Sequence, residues 1–406
     1  MQIDSLAVRY ADVVLSIGLD FRPGRLLAID CLIEHAQLAR AIAELAYERG
    51  ASYVDIWYFD PVAKQSRVRH APTDTLANPP DWLDDRYERL TRTPSAYIRI
   101  TGDPAPDLLA GLDPARAGLD QMPVLATRND AQTRGLVEWT VCAWPSPGWA
   151  TQIFGKPEVD RLTGLIAKFV RLTTPNPVGA WRAHVDELRR RAHALQRLDL
   201  DVLHYQGPGT DLNIGLPRDH LWVAAEIESA RGVRHVINLP TEEVWTSPDP
   251  TRTNGTVRAT RPLALAGTLV TDLELTFGDG CITHVSASNG ADVVRAHIAT
   301  DAGACRLGEV ALISASSPVL QSGITFFETL LDENASSHLA WGSAIPHANR
   351  TFNPQQPDLV PPHLNHSAVH TDFMVGGSHI RITGIGRDGT RHVVLEGDEW
   401  QLLESW

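Results

Sequence analysis

The sequence predicts α/β plus α+β: an open α/β N-terminal domain at 1–195, then a strand-rich domain at 196–406. Three observations lead there. The chain has 406 residues, and at roughly 100–200 residues per domain two is the natural division. The first half alternates short apolar runs with amphipathic helical stretches, the rhythm of an open sheet flanked by helices. The second half replaces it with alternating segments joined by Asp-Gly turns, the mark of antiparallel hairpins.

The elements follow in order. Leu26 to Ile29 reads as a short buried strand. Residues 33–49 carry apolar side chains at helical spacing, and Gly50 follows as a C-cap. Tyr53 to Phe59 reads as the next strand, and 96–100 and 138–143 continue the series. No G-x-G-x-x-G follows any of them, so a dinucleotide site has no support. A long helix at about 176–197 connects the halves. Beyond it, residues 270–277 alternate strictly and Asp279-Gly280 turns into a strand at 282–287. Asp388-Gly389 repeats the device within Arg381 to Val394, and Asn254-Gly255 reads as a third turn.

Composition excludes several classes. The 36 basic residues minus 49 acidic ones leave −13, against a protein built to grip nucleic acid. A hydrophobic content of 43% is enough for a real core and excludes wholesale disorder. Asp4, Arg9, Asp12 and Asp20 interrupt any apolar signal core, and no uncharged run approaches the roughly 18–20 residues of a membrane helix. Cys31, Cys142, Cys281 and Cys305 are far apart and form no CxxC pair, so no disulfide framework is expected and the cytoplasm is the simplest home.

HExxH, GxSxG and Walker loops are missing. Carboxylates and histidines of the second half carry what signal there is. On a strand at 370–376, His370 and Asp372 point to one face, which suits two ligands on one metal. His184 and Asp186 have the same spacing but sit in the long helix, where they do not face each other; His184 reads as structural. In NLPTEEVWTSPD (238–249), alternation sends Glu242 and Glu243 to opposite faces. Either one enters a buried site while the other meets solvent or an outer layer, or the segment is a solvated acidic loop. Glu309 stands alone in the apolar run LGEVALI, where burial without a partner is costly; a metal is one such partner, a cap or salt bridge another. Glu333 and His338 are five residues apart, about 140° on an ideal helix, so the element bends or the two reach a site from different sides.

Together these segments resemble the aminopeptidase T family of dinuclear metallo-aminopeptidases. The resemblance is dense from Gly207-Pro-Gly-Thr-Asp-Leu through NLPTEEVWTSPD, LGEVALISASSPVLQSGITFFETLLDENASSHLAWG, HTDFMVGG and DGTRHVVLEGDEW. It is looser in the first half, at GAS (50–52) and PGWA (147–150), and spans nearly the whole chain. It implies that Glu243, Glu309, Glu333, His338, His370 and Asp372 are metal ligands and that the second domain is catalytic. Three Glu and one Asp sum to −4, which two divalent cations would neutralise. It implies zinc, cobalt or manganese, two ions per chain, sharing an activated water. Glu309 or Glu333 would shuttle the proton, and peptides or small aminoacyl compounds would be substrates. A homodimer is also implied.

One position departs from the pattern. The family carries an active-site tyrosine seven residues beyond the ligand histidine; here Ile345 stands there, followed by Pro346 and His347. A phenol can donate to a developing oxyanion and isoleucine cannot; His347 is the nearest substitute in sequence, unless the loop is shifted. Three readings follow: an aminopeptidase; a diverged relative acting on a specialised amide or aminoacyl conjugate, or running non-peptidase chemistry on a scaffold like that of a pyridinediol dioxygenase; and a metal-stabilised protein without turnover.

Overall fold

A computed structural model describes residues 3–402 apart from 79, 103–104, 106–107, 110, 121–123 and 266–267. The chain forms two compact units. One holds residues 1–183 and 226–240, the other 184–225 and 241–406. The architecture is mixed α/β, with a parallel sheet in the first unit and antiparallel sheets in the second.

The first unit's five-stranded sheet runs in the order Tyr53–Phe59, Leu26–Leu32, Ser95–Thr101, Glu138–Ala143 and Asn238–Leu239, every pair parallel. Helices such as Ala36–Glu48 and Trp82–Arg92 connect the strands, as the alternating rhythm requires. Strand order reverses between Leu26–Leu32 and Ser95–Thr101, where sheets of this kind bind dinucleotides. Here His35, fully buried, ties the two carboxyl ends together. Its Nδ1 accepts from Leu32 N–H at 3.4 Å, so Nε2 carries the proton and donates to Gly102 O at 3.0 Å. A Cβ at Gly102 would stand 2.5 Å from Trp144 O.

Residues 226–240 join this unit from far along the chain. Glu138, wholly buried, explains the attachment. It accepts from Arg25 Nη1 at 2.6 Å and from Ser229 Oγ at 2.5 Å, and Arg231 Nη1 lies 3.7 Å away. Leaving one member of a buried ion pair uncompensated costs about 3–5 kcal/mol. Glu138→Ala is therefore expected to lower the unfolding free energy of the first unit by about 3–5 kcal/mol, read from the shift of a urea titration.

The second unit contains an eight-stranded antiparallel sheet, ordered Cys281–Ser286, Glu274–Gly278, Thr253–Arg258, Thr210–Gly215, Leu200–Gly207, Arg381–Gly386, Arg391–Glu396 and Glu399–Trp400. Both Asp-Gly hairpins form where the sequence places them. Asp279 and Gly280 take φ +50° and +84°, the mirror-image turn that matches strand twist. Three expectations need correction. The alternation over 270–277 is not one strand: Asp272 at φ +52° separates Thr268–Val270 from Glu274–Gly278. Asn254-Gly255 is no turn but lies inside Thr253–Arg258. Gly255 at φ +119° lets this strand pass so close to its neighbour that a Cβ would stand 2.1 Å from Asp211 O. Third, Cys281 and Cys305 form a disulfide, while Cys31 and Cys142 are buried free thiols. The pairing escapes sequence reading because a bridge between Cys281 and Arg306 makes neighbours of residues 24 apart in the chain. No described helix is long and apolar enough to cross a membrane.

Candidate metal centre

The site is built on a four-stranded antiparallel sheet of the second unit: Glu243–Thr246, Leu307–Ile313, His338–Gly342 and His370–Met374, in that order. Residues directly opposite in such a ladder share a face. Trp245 lies opposite Ala311, Ala311 opposite His338, Glu309 opposite Ala340, Ala340 opposite Asp372 and Gly342 opposite His370. Register therefore gathers Glu243, Glu309, His338, His370 and Asp372 on one face, with small residues between them. The pairing shifts between Leu307 and Glu309. Gly308 makes the shift possible, since a Cβ there would stand 2.3 Å from Ser343 O. Such an irregularity re-aims the next side chain.

Every residue of Leu307–Ile313 is buried, Glu309 included. His370 Nε2 lies 3.2 Å from Glu309 Oε2 and 3.4 Å from Asp372 Oδ1, and His338 Nε2 lies 3.3 Å from Glu243 Oε2. The other ring nitrogens are occupied: Nδ1 of His338 donates to Ser336 O at 3.1 Å and Nδ1 of His370 to Ser343 O at 2.8 Å. Both Nε2 atoms thus face the carboxylates, the orientation a backbone partner gives a metal-binding imidazole.

Two triads have ligand atoms within 4.8 Å of one another: Glu243, Glu309 and His338; and Glu309, His370 and Asp372. Glu309 belongs to both. A carboxylate has two oxygens and can serve two cations at once. This mix of carboxylates and imidazoles fits zinc, cobalt or manganese. Glu333 belongs to neither triad. It opens a one-turn 3₁₀ segment, Glu333–Ala335, between the helix Thr329–Asp332 and the strand that begins at His338. The element bends there, which is how residues five apart reach the same cluster. Glu333 is buried and feels the charges of Asp372, Glu243 and Glu309.

The electrostatics are those of a cation site. Burial, then the charges of Asp372 and Glu243, push the Glu333 carboxyl well above the ordinary range. Burial also raises Glu309, with the His370 hydrogen bond opposing. Burial works against charge on His338, yet its hydrogen bond to Glu243 and the surrounding carboxylates raise it to about 10. His370 is raised likewise by Asp372 and Glu309. Asp372 is held low: burial opposes, but the His370 charge prevails. Protons thus supply the positive charge the carboxylates demand, and cations would displace them.

Of the residues around the centre, Asn334 and Ser247 carry no sequence signal of their own. Glu242 is buried in the outer layer, one of the two places its alternation allows, with its carboxylate 3.5 Å from His184 Nε2, which also bonds Thr241 O at 2.8 Å. His184 is thus a supporting residue, as its helical setting implies. Asn334 accepts the Glu242 N–H at 2.7 Å. Ser247 Oγ bonds both N–H and C=O of Ile345, at 3.2 and 3.3 Å, so the departing position sits at the end of the Glu243–Thr246 strand. His347 packs edge-on against Phe352.

Comparison with known proteins agrees with this picture. The family model described as thermophilic metalloprotease (M29) matches residues 4–400. Aminopeptidase T of Thermus aquaticus is 36% identical over 97% of this chain and 98% of its own. Aminopeptidase PepS of Streptococcus thermophilus is 34% identical over 97% of each. The solved structure of wild-type AmpT from Thermus thermophilus superposes with a TM-score of 0.88 at 34% identity, covering 98% of this chain and 100% of that one. A 2,5-dihydroxypyridine dioxygenase from Pseudomonas putida shares the fold alone, at TM-score 0.54 and 12% identity. A match along nearly the whole chain, with curated relatives covered almost end to end, places this protein in the thermophilic metalloprotease family.

Proposed function

We propose that this enzyme, an aminopeptidase of its metalloprotease family, cleaves the amide bond after a free N-terminal residue with two divalent cations held by Glu243, Glu309, His338, His370 and Asp372, Glu333 being the carboxylate beside them that is not fully committed to metal. The observation that carries the reading is the pair of triads meeting at Glu309. Cations held there would polarise the scissile carbonyl and make water a nucleophile near neutral pH. The remaining roles belong to the chain. The carboxylate-rich face attracts the substrate's α-ammonium group. Glu309, common to both triads, is committed to the cations. Glu333, outside them, takes a proton from the attacking water and returns it to the departing amine.

Release of the first residue from aminoacyl chromogens, with and without a chelator, tests this. Turnover should vanish on chelation and return with zinc, cobalt or manganese; activity indifferent to chelation would overturn it. Cation binding should also release protons, because His338, His370, Glu309 and Glu333 are all raised in the metal-free site. The sign follows: affinity falls as pH drops and these groups hold their protons more firmly. Titration calorimetry in buffers of different ionisation enthalpy reads the proton count.

Ile345 supports a second reading, a peptidase diverged toward a specialised amide or aminoacyl conjugate. Its backbone is held at the edge of the site, but its side chain offers no donor. One oxyanion donor is worth roughly 10²–10³ in rate. Ile345→Tyr is therefore expected to raise kcat on aminoacyl chromogens by at least about tenfold. No gain would direct attention to other donors or to another substrate. We further propose a homodimer, testable by light scattering, and a cytoplasmic location. A reducing compartment would open the Cys281–Cys305 bond. Rapid lysis into denaturant with excess alkylating reagent should then label all four cysteines, against the two thiols of the disulfide-bonded form.

A further inference from the structure

Glu333 and Glu243 come from different parts of the chain, and only Glu243 is held by the ladder of the four-stranded sheet. Something else must hold the Glu333 turn in place. Asn334, next in sequence to Glu333 and fully buried, makes three bonds to three segments. Its Oδ1 accepts the N–H of Glu242, 92 residues away, at 2.7 Å. Its Nδ2 donates to Leu330 O at 2.8 Å, across the preceding helical turn. Its backbone carbonyl accepts from Ser317 Oγ at 2.7 Å. Glu242 in turn directly precedes Glu243.

One amide side chain therefore couples the residue after Glu333 to the residue before Glu243. An amide suits this task, because one end accepts from an N–H while the other donates to a carbonyl. Aspartate would keep the acceptor, lose the donor and add charge to a face already rich in carboxylates. Alanine would leave the buried Glu242 N–H without its partner, which is costly in itself.

We propose that Asn334 is a positioning residue, a clamp that sets the Glu333 carboxylate against the metal-binding face. This rests on the reading of Glu333 as proton carrier. Outer residues that orient a metal site are typically worth about 10–100-fold in affinity or activity. The test uses the full-length enzyme. Asn334→Ala should bind two cations per chain and keep KM within about threefold, while kcat falls roughly 10–100-fold. Hydrogen exchange at the Glu242 amide, measured in metal-free protein, should accelerate at least about tenfold.

Asn334→Asp, which keeps the acceptor for Glu242, should retain that protection and recover part of kcat. If the alanine variant does not fold, the aspartate variant still decides: a kcat between wild type and Glu333→Gln supports the clamp. A folded, fully loaded variant with wild-type kcat and unchanged Glu242 exchange would overturn it. Glu333→Gln is the reference in the same assay. Should it keep wild-type kcat, the proton-carrier reading fails, and the exchange rate at Glu242 still judges the clamp because it does not depend on turnover.

Discussion

Glu309→Gln is expected to empty both cation sites and abolish turnover. Glu309 is the one residue common to both triads, so its loss weakens two sets of ligands together. Asp372 and Glu243 each belong to one triad. Asp372→Asn and Glu243→Gln should therefore leave about one ion per chain, while Glu309→Gln leaves close to none. Cations at such a site contribute several kcal/mol to the transition state, and about 1.4 kcal/mol is tenfold, so the loss of rate should reach roughly 10³-fold. Elemental analysis gives the stoichiometry and the chromogenic assay the rate. Folding should survive, because a neutral amide is cheaper to bury than a carboxylate. Retention of one ion by Glu309→Gln would mean that the triads act independently.

Glu333→Gln should separate chemistry from metal binding. Its carboxylate lies outside both triads, so both ions should remain with only modestly changed affinity. Glutamine cannot carry a proton, and general acid–base transfer contributes typically 10²–10⁴ in rate. A fall of kcat in that range, with KM nearly unchanged, is the expected signature. If the variant instead loses its ions, Glu333 acts as a ligand first, as the family resemblance implies. The pair of variants thus assigns the two glutamates to different jobs by metal count alone.

The contrast between the two halves explains what could be read in advance. The Asp279-Gly280 and Asp388-Gly389 hairpins are legible because a two-residue turn depends on its own residues. The central parallel strands Leu26–Leu32 and Ser95–Thr101 are legible because burial on both faces leaves a mostly apolar run. The segment 270–277 misleads because alternation records burial, and Val270, Leu273, Leu275 and Phe277 are buried although Asp272 breaks the strand. Asn254-Gly255 misleads because glycine also serves where backbones approach closely, and only the neighbouring strand shows which role applies. Residues 226–240 reach the first unit through Glu138, a contact across a long stretch of chain that no local pattern encodes.

Within the centre the same division holds. His370 and Asp372 share a face by strand spacing, and the bend between Glu333 and His338 is one of the two outcomes their separation allows. The sequence by itself determined the fold class, the alternating rhythm, the two hairpins and, through long motifs, the family and the residues to inspect. Tertiary structure alone decided that Glu309 stands in both triads, that Glu333 stands outside them, that Glu242 is buried against His184, and that Asn334 ties the two segments together. The physical reason is range. Turns and periodicity follow from neighbours in the chain, whereas a metal site follows from strand register, which brings side chains from four distant segments to one face.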